Sequence, residues 1–127
     1  MNIYCGVDMV EIKRIKDSIE KYGNSFIEKI FTPGEINYCE SRRKQKYQSY
    51  AARFSAKEAV SKALGTGIAK GVTLKDIEVR VSDTGKPHIV LYNKAMELYE
   101  EMGGVSMDIS LAHTKDYATA FAVLICK

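Results

Sequence analysis

The chain has 127 residues, with 19 Lys and Arg against 16 Asp and Glu for a net charge of +3, 46% apolar residues, nine Gly and two Pro. A chain of this length buries about two thirds of the surface its unfolded form exposes, enough for one real core. Disorder, a collagen-like rod and a disulfide scaffold are excluded, and residues 1–127 are read as a single domain.

Cys5, Cys39 and Cys126 are odd in number, show no C-x-x-C spacing and have no histidine nearby, so they fit a reducing compartment better than a disulfide framework or a zinc site. The start, MNIYCGVDMVEIKRI, has no basic leader and meets an acid at Asp8, which argues against a signal peptide. The longest apolar tract, 117–126, is about half of the roughly 20 residues that a membrane span requires. A soluble, cytoplasmic protein is the expectation. The basic residues fall in two clusters, Lys13, Arg14, Lys16 and Lys21, then Arg42, Arg43, Lys44 and Lys46. Each is either a solvated face or a receiver of phosphate groups or of an acidic protein.

In chain order, residues 2–8 predict a strand, with Ile3, Cys5 and Val7 alternating and Gly6 allowing close backbone approach just before Asp8. From Met9 to Tyr22, Val10, Ile12, Ile15 and Ile19 recur at helical spacing under a basic outer face, and Asp8 would cap that helix or point into a cleft. Gly23 ends it and a short helix over 25–30 follows. Thr32, Pro33 and Glu35 then form the T-x-x-E capping box of a helix that runs into the second basic cluster. A long alanine-rich helix spans Gln48 to Leu64, stopped by Gly65, and its small residues permit close contact with a neighbour. Residues 76–91 read as two strands joined by Asp83-Thr84-Gly85. Asn93 to Met102 is a helix closed by Gly103-Gly104, and two strands, 107–114 and 117–125, flank Lys115-Asp116. The fold class is α+β, with a mostly antiparallel sheet packed on a long helix.

Glu58 and Lys62 lie one turn apart on the long helix, which reads as an exposed ion pair when taken alone. Their setting opens a second reading. Arg53, Lys57 and Lys62 run down the helix toward Gly65-Thr66-Gly67; such cations can hold a diphosphate, and an acid among them the Mg²⁺ that diphosphates carry. Asp8 is the second candidate carboxylate. His113, at a strand end, is either a structural histidine or a donor to phosphate.

GVDMVEIKRI at 6–15, FTPGE at 31–35, ARFSAKEAVSKALGTG at 52–67, TGKP at 84–87 and ISLAHTKDYATAFAV at 109–123 together resemble the holo-[acyl-carrier-protein] synthases, the small bacterial type of 4′-phosphopantetheinyl transferase. The likeness spans nearly the whole chain, and Phe54, in a chain without Trp, stands where longer relatives often place Trp, which puts it with the short type. The resemblance implies transfer of the 4′-phosphopantetheine arm of coenzyme A to a serine of apo acyl carrier protein, releasing adenosine 3′,5′-bisphosphate, in support of fatty acid biosynthesis. It implies Asp8 and Glu58 as Mg²⁺ ligands and Lys62 at the diphosphate. It places Arg53, Gly65, Thr66, Gly67, Lys86, Pro87, His113 and Thr114 against coenzyme A, with Gly85 in the same turn, and Lys13, Arg14 and Lys21 against the acidic carrier protein. A homotrimer with active sites between subunits is implied too, in which His113 and the Lys86-Pro87 turn come from a neighbour. The proton acceptor is left open among Glu58, a water on the ion and Glu35. The rival readings are a non-catalytic coenzyme A binder and a basic nucleic-acid-binding protein, the latter without the aromatic-rich strand of single-strand binders.

Overall fold

The computed structural model describes residues 1–127. Its elements run β1 (Asn2–Glu11), α1 (Ile12–Tyr22), α2 (Asn24–Ile30), α3 (Pro33–Ser41), α4 (Lys46–Ala63), β2 (Ile77–Val81), β3 (Pro87–Leu91), α5 (Asn93–Glu101), β4 (Gly104–His113) and β5 (Tyr117–Cys126), with single 3-10 turns at Arg43–Gln45 and Leu74–Asp76. Every strand pairing is antiparallel: β1-β5-β4 form one sheet, with the C-terminal strand in the middle, and β2-β3 form a hairpin. No helix is long and apolar enough to cross a membrane.

Helix α4 lies against the inner face of the three-stranded sheet because small residues meet there. Ala56, Ala59 and Ala63 of α4 face Ala120 and Ala122 of β5, and all five are essentially inaccessible. At Gly6 the approach is closest, since an added Cβ would overlap the carbonyl of Ala59 and crowd the nitrogen of Ala63. The other end of α4 joins a second apolar cluster, in which Tyr50 and Ala51 meet Ile15 and Ile19 of α1 and Phe31 before α3. The basic side chains of α1 therefore point outward, as the helical spacing predicts.

The capping box of α3 forms as read: Glu35 N donates to Thr32 Oγ1 at 3.3 Å, and Thr32 N donates to Glu35 Oε1 at 2.9 Å. The tight turn of the β2–β3 hairpin also forms, with Gly85 at φ +86° and its N–H donating to Ser82 O at 2.8 Å.

One predicted boundary is corrected, with a consequence for the site. The helix expected from Met9 starts at Ile12, because β1 stays paired with β5 from Asn2↔Cys126 through Glu11↔Tyr117. Asp8 therefore caps no helix; it stands in mid-strand opposite Ala120. Its neighbours at alternate positions, Gly6 and Val10, are buried, so it faces α4 with them. The alternating Ile3, Cys5 and Val7 project from the opposite face, where Ile3, Val7, Met9 and Phe121 remain exposed.

Candidate active site

Asp8 is held from three sides. Ser55 Oγ, on α4, donates to Asp8 O at 2.9 Å and lies 3.2 Å from Oδ2. Thr119 Oγ1, on β5, donates to the same carbonyl at 2.7 Å. Lys62 Nζ spans from α4 to β1, donating to Val7 O at 3.0 Å and to Asp8 Oδ1 at 3.1 Å. The ion pair of Lys62 is thus with Asp8, and the helical Glu58–Lys62 pair that the spacing suggests is not formed.

Glu58 emerges one turn before Lys62 and is half-buried without a hydrogen-bonded partner of its own. Burial first, and the charge of Asp8 second, push its carboxyl above the usual range, against the opposing pull of Lys62. Two hard oxygen donors that repel each other, with a lysine ammonium already drawn to one of them, could hold a small dication. No third His, Cys, Asp or Glu joins them. Such a pair suits Mg²⁺, which takes one or two carboxylates and completes its shell with water and substrate phosphate.

Beyond α4 the chain turns through Gly65 (φ +90°) and Gly67 (φ +62°), with nothing near the position of an added Cβ at either residue. Gly67 N donates to Ser61 O at 3.0 Å, and Thr66 Oγ1 donates to Gly67 O at 2.7 Å. The open backbone immediately after Lys62 is therefore a fixed turn.

Arg53 lies elsewhere on α4. It lines a cavity of about 430 Å³ together with Tyr38 of α3, Gly85, Lys86 and Pro87 of the β2–β3 turn, and Ile109, Ser110 and Leu111 of β4. The structure thus brings Arg53, Lys86 and Pro87 together within one chain. Lys86 is exposed and pairs with Asp108 at 3.0 Å. His113 lies on the same strand face as Ile109 and Leu111, further along β4, and is exposed. Thr114 Oγ1 accepts from Asp116 N at 3.3 Å and Tyr117 N at 3.0 Å, so it shapes the β4–β5 turn and keeps only its hydroxyl proton to offer.

Two sequence readings are corrected here. Lys57 is not a cation for diphosphate: it is fully buried, pairs with Glu35 Oε1 at 2.6 Å, and donates to Leu74 O and Ile77 O at 3.0 and 2.6 Å. Burial pushes its ammonium down, against the pull of Glu35. Glu35 is equally enclosed and also accepts from Thr32 N and Val79 N, which removes it from the candidates for proton acceptor. Of the carrier-binding candidates, Lys13, Arg14 and Lys21 are all exposed on α1, and Lys13 pairs with Asp17 at 2.7 Å.

Ser55, Thr119 and Tyr38 are site residues that sequence reasoning missed. Ser55 shares a helix face with Glu58 and Lys62, so its spacing carried a signal. Nothing local marked Thr119 or Tyr38.

The profile of the 4′-phosphopantetheinyl transferase superfamily matches residues 4–122, and the chain belongs to that family. Within it the chain sides with the holo-[acyl-carrier-protein] synthases. The synthase of Ruminiclostridium cellulolyticum is 51% identical over 124 residues, 98% of this chain and 92% of that protein. The crystal structure of the Helicobacter pylori synthase in complex with coenzyme A aligns at TM-score 0.83 and 33% identity, covering 95% of this chain and 99% of that one. That of the Bacillus anthracis synthase in complex with coenzyme A (3′,5′-ADP) aligns at TM-score 0.80 and 35% identity, covering 98% and 96%.

Proposed function

We propose that residues 1–127 are one phosphopantetheinyl transferase domain. It moves the 4′-phosphopantetheine arm of coenzyme A to a serine of apo acyl carrier protein, releasing adenosine 3′,5′-bisphosphate, in the cytoplasm and in support of fatty acid biosynthesis. The observation that carries this reading is the meeting of Asp8, Glu58 and Lys62 across β1 and α4, beside the Gly65–Gly67 turn. Neither rival, a non-catalytic coenzyme A binder or a nucleic-acid-binding protein, is favoured by the family or by the relatives.

The serine hydroxyl attacks the β-phosphorus and a P–O bond forms there; the bond from that phosphorus to the bridging oxygen breaks, the oxygen leaves on adenosine 3′,5′-bisphosphate, and the serine proton passes to Glu58 or to a water. Such transfers depend on positioning and charge neutralisation. Mg²⁺, held by Asp8 and Glu58, would neutralise the diphosphate and act as a Lewis acid. Ser55 and Thr119 fix the Asp8 backbone, so its carboxylate is aimed before substrate arrives. Lys62, half-exposed and reaching Asp8 from α4, supplies a movable positive charge for the diphosphate.

The outward apolar row Ile3, Val7, Met9 and Phe121 offers a surface for subunit contact, as a homotrimer with active sites between subunits would use. In such a trimer Arg53 travels with the Lys86-Pro87 turn and His113 as the neighbour's contribution to the coenzyme A site. The decisive experiment mixes the protein with coenzyme A, Mg²⁺ and apo acyl carrier protein and reads the carrier's intact mass. A gain of roughly 340 Da, lost when a chelator is added, is expected. No gain with several carriers would overturn the reading.

The exposed cations of α1 suit an acidic partner, for which Arg14 is the principal contact. Arg14→Glu is expected to raise KM for the carrier protein about tenfold or more while leaving KM for coenzyme A within about twofold. Steady-state kinetics with each substrate varied in turn checks this, and equal effects on both would exclude the docking role.

A further inference from the structure

Arg53 is a buried cation without an acid. It is 5% exposed, its Nε has no hydrogen-bond partner, and none of the ion pairs includes it. Its one hydrogen bond is a long contact from Nη1 to Ser49 O, 3.5 Å away on the preceding turn. The buried ionisable groups around it do not compensate: Lys57 carries the same charge, Glu35 is committed to Lys57, and Glu78, which lines an adjoining cavity with Arg53 and Tyr38, is committed to Arg80, Thr32 and Tyr92. What does face the guanidinium is the ring of Tyr38, whose centroid lies 4.0 Å away, and both residues line the cavity that ends at Lys86. An aromatic face attracts a cation most strongly where water is excluded, and leaves the cation's remaining N–H groups free for an anion.

We infer that Tyr38 is a positioning residue, whose ring holds the Arg53 guanidinium oriented in the cavity so that it binds the phosphorylated ribose of the nucleotide. The inference rests on the coenzyme A reading of this site and adds a residue and a mechanism to it. It differs from simple packing in one respect: it depends on the electron density of the ring as well as on its shape.

The test replaces Tyr38 by Phe and then by Phe carrying one, two and three ring fluorines, which preserves shape while draining the negative face. Tyr38→Phe is the reference against which the fluorinated rings are read. Along the fluorinated series KM for coenzyme A should climb stepwise to about tenfold, with kcat within about twofold, while KM for 3′-dephospho-coenzyme A stays level. A flat series, or an equal climb for both substrates, overturns the inference. Calorimetric binding of adenosine 3′,5′-bisphosphate follows the same series without turnover, so it reads the contact even if carrier transfer fails. Arg53→Gln should weaken that binding and remove the dependence on fluorination. If Arg53→Gln binds as tightly as the parent, the coenzyme A reading of Arg53 falls and the inference with it; if only the fluorine series is flat, the inference falls alone.

Discussion

Asp8→Ala is expected to lower carrier-protein modification by roughly a thousandfold or more while the protein stays folded. The change removes one of two carboxylates and one of the two acceptors of Lys62, but leaves the Asp8 carbonyl that Ser55 and Thr119 bind. The β1–β5 pairing uses backbone alone and is untouched. Intact-mass kinetics and a circular dichroism melt check the two halves together, and activity within tenfold of the parent would refute the metal assignment. Glu58→Gln should reduce activity to a similar degree without a loss of stability. In the folded protein the Glu58 carboxyl holds its proton to a higher pH than the ordinary 4.5. Between that value and its raised one the unfolded chain has released a proton that the folded chain keeps, so stability falls as pH rises through the window. Gln carries no charge to bury, so at pH 7 without a divalent ion Glu58→Gln should melt no lower than the parent, and added Mg²⁺ should raise the melting temperature of the parent alone. A variant that melts clearly lower would show that Glu58 stabilises the fold.

Lys57→Ala should give the largest loss of stability, about 3–5 kcal/mol in urea unfolding. All three ammonium protons are used inside the protein, on Glu35, Leu74 O and Ile77 O. Removing the cation leaves the Glu35 carboxylate enclosed with only the Thr32 and Val79 amides to compensate it. Glu35→Gln leaves the opposite charge stranded and should cost about as much. Combining Lys57→Met with Glu35→Gln should cost less than the sum of the single changes, because neither charge is then left alone. A cost below about 1 kcal/mol for Lys57→Ala would mean that water reaches the pair. The pair matters to the site through position: it ties the FTPGE segment and the turn before β2 to α4 at the residue preceding Glu58.

Much of the fold is legible locally. The Thr32–Glu35 box, the stops at Gly23 and Gly65 and the Asp83-Thr84-Gly85 turn are each written in a few adjacent residues and form as read. The end of β1 is not, because Val10, Ile12 and Ile15 fit a helical period equally well and only the ladder to β5 decides. At the site, Glu58 and Lys62 were readable as neighbours on a helix. Their chemical relation was not: Lys62 turned from Glu58 to Asp8, from which it is separated by 54 residues. Lys57, Arg53 and Lys62 look alike in sequence as a row of cations, yet one is a buried structural pair, one sits on an aromatic ring, and one is half-exposed beside Asp8.

By itself the sequence determined the α+β class, the caps and turns and the exposed basic face of α1, because these depend on hydrogen bonds or periodicity within a turn or two of chain; the transferase family was legible as a resemblance. Only the tertiary structure decided that Asp8 stands in mid-strand and not at a strand's end, that Glu35 and Lys57 neutralise each other away from the site, and that Tyr38, Arg53 and Lys86 share a cavity. The reason is electrostatic: what a charged group does depends on its hydration and on the partner facing it. For Asp8 those partners are Ser55, Lys62 and Thr119, the last 111 residues along the chain.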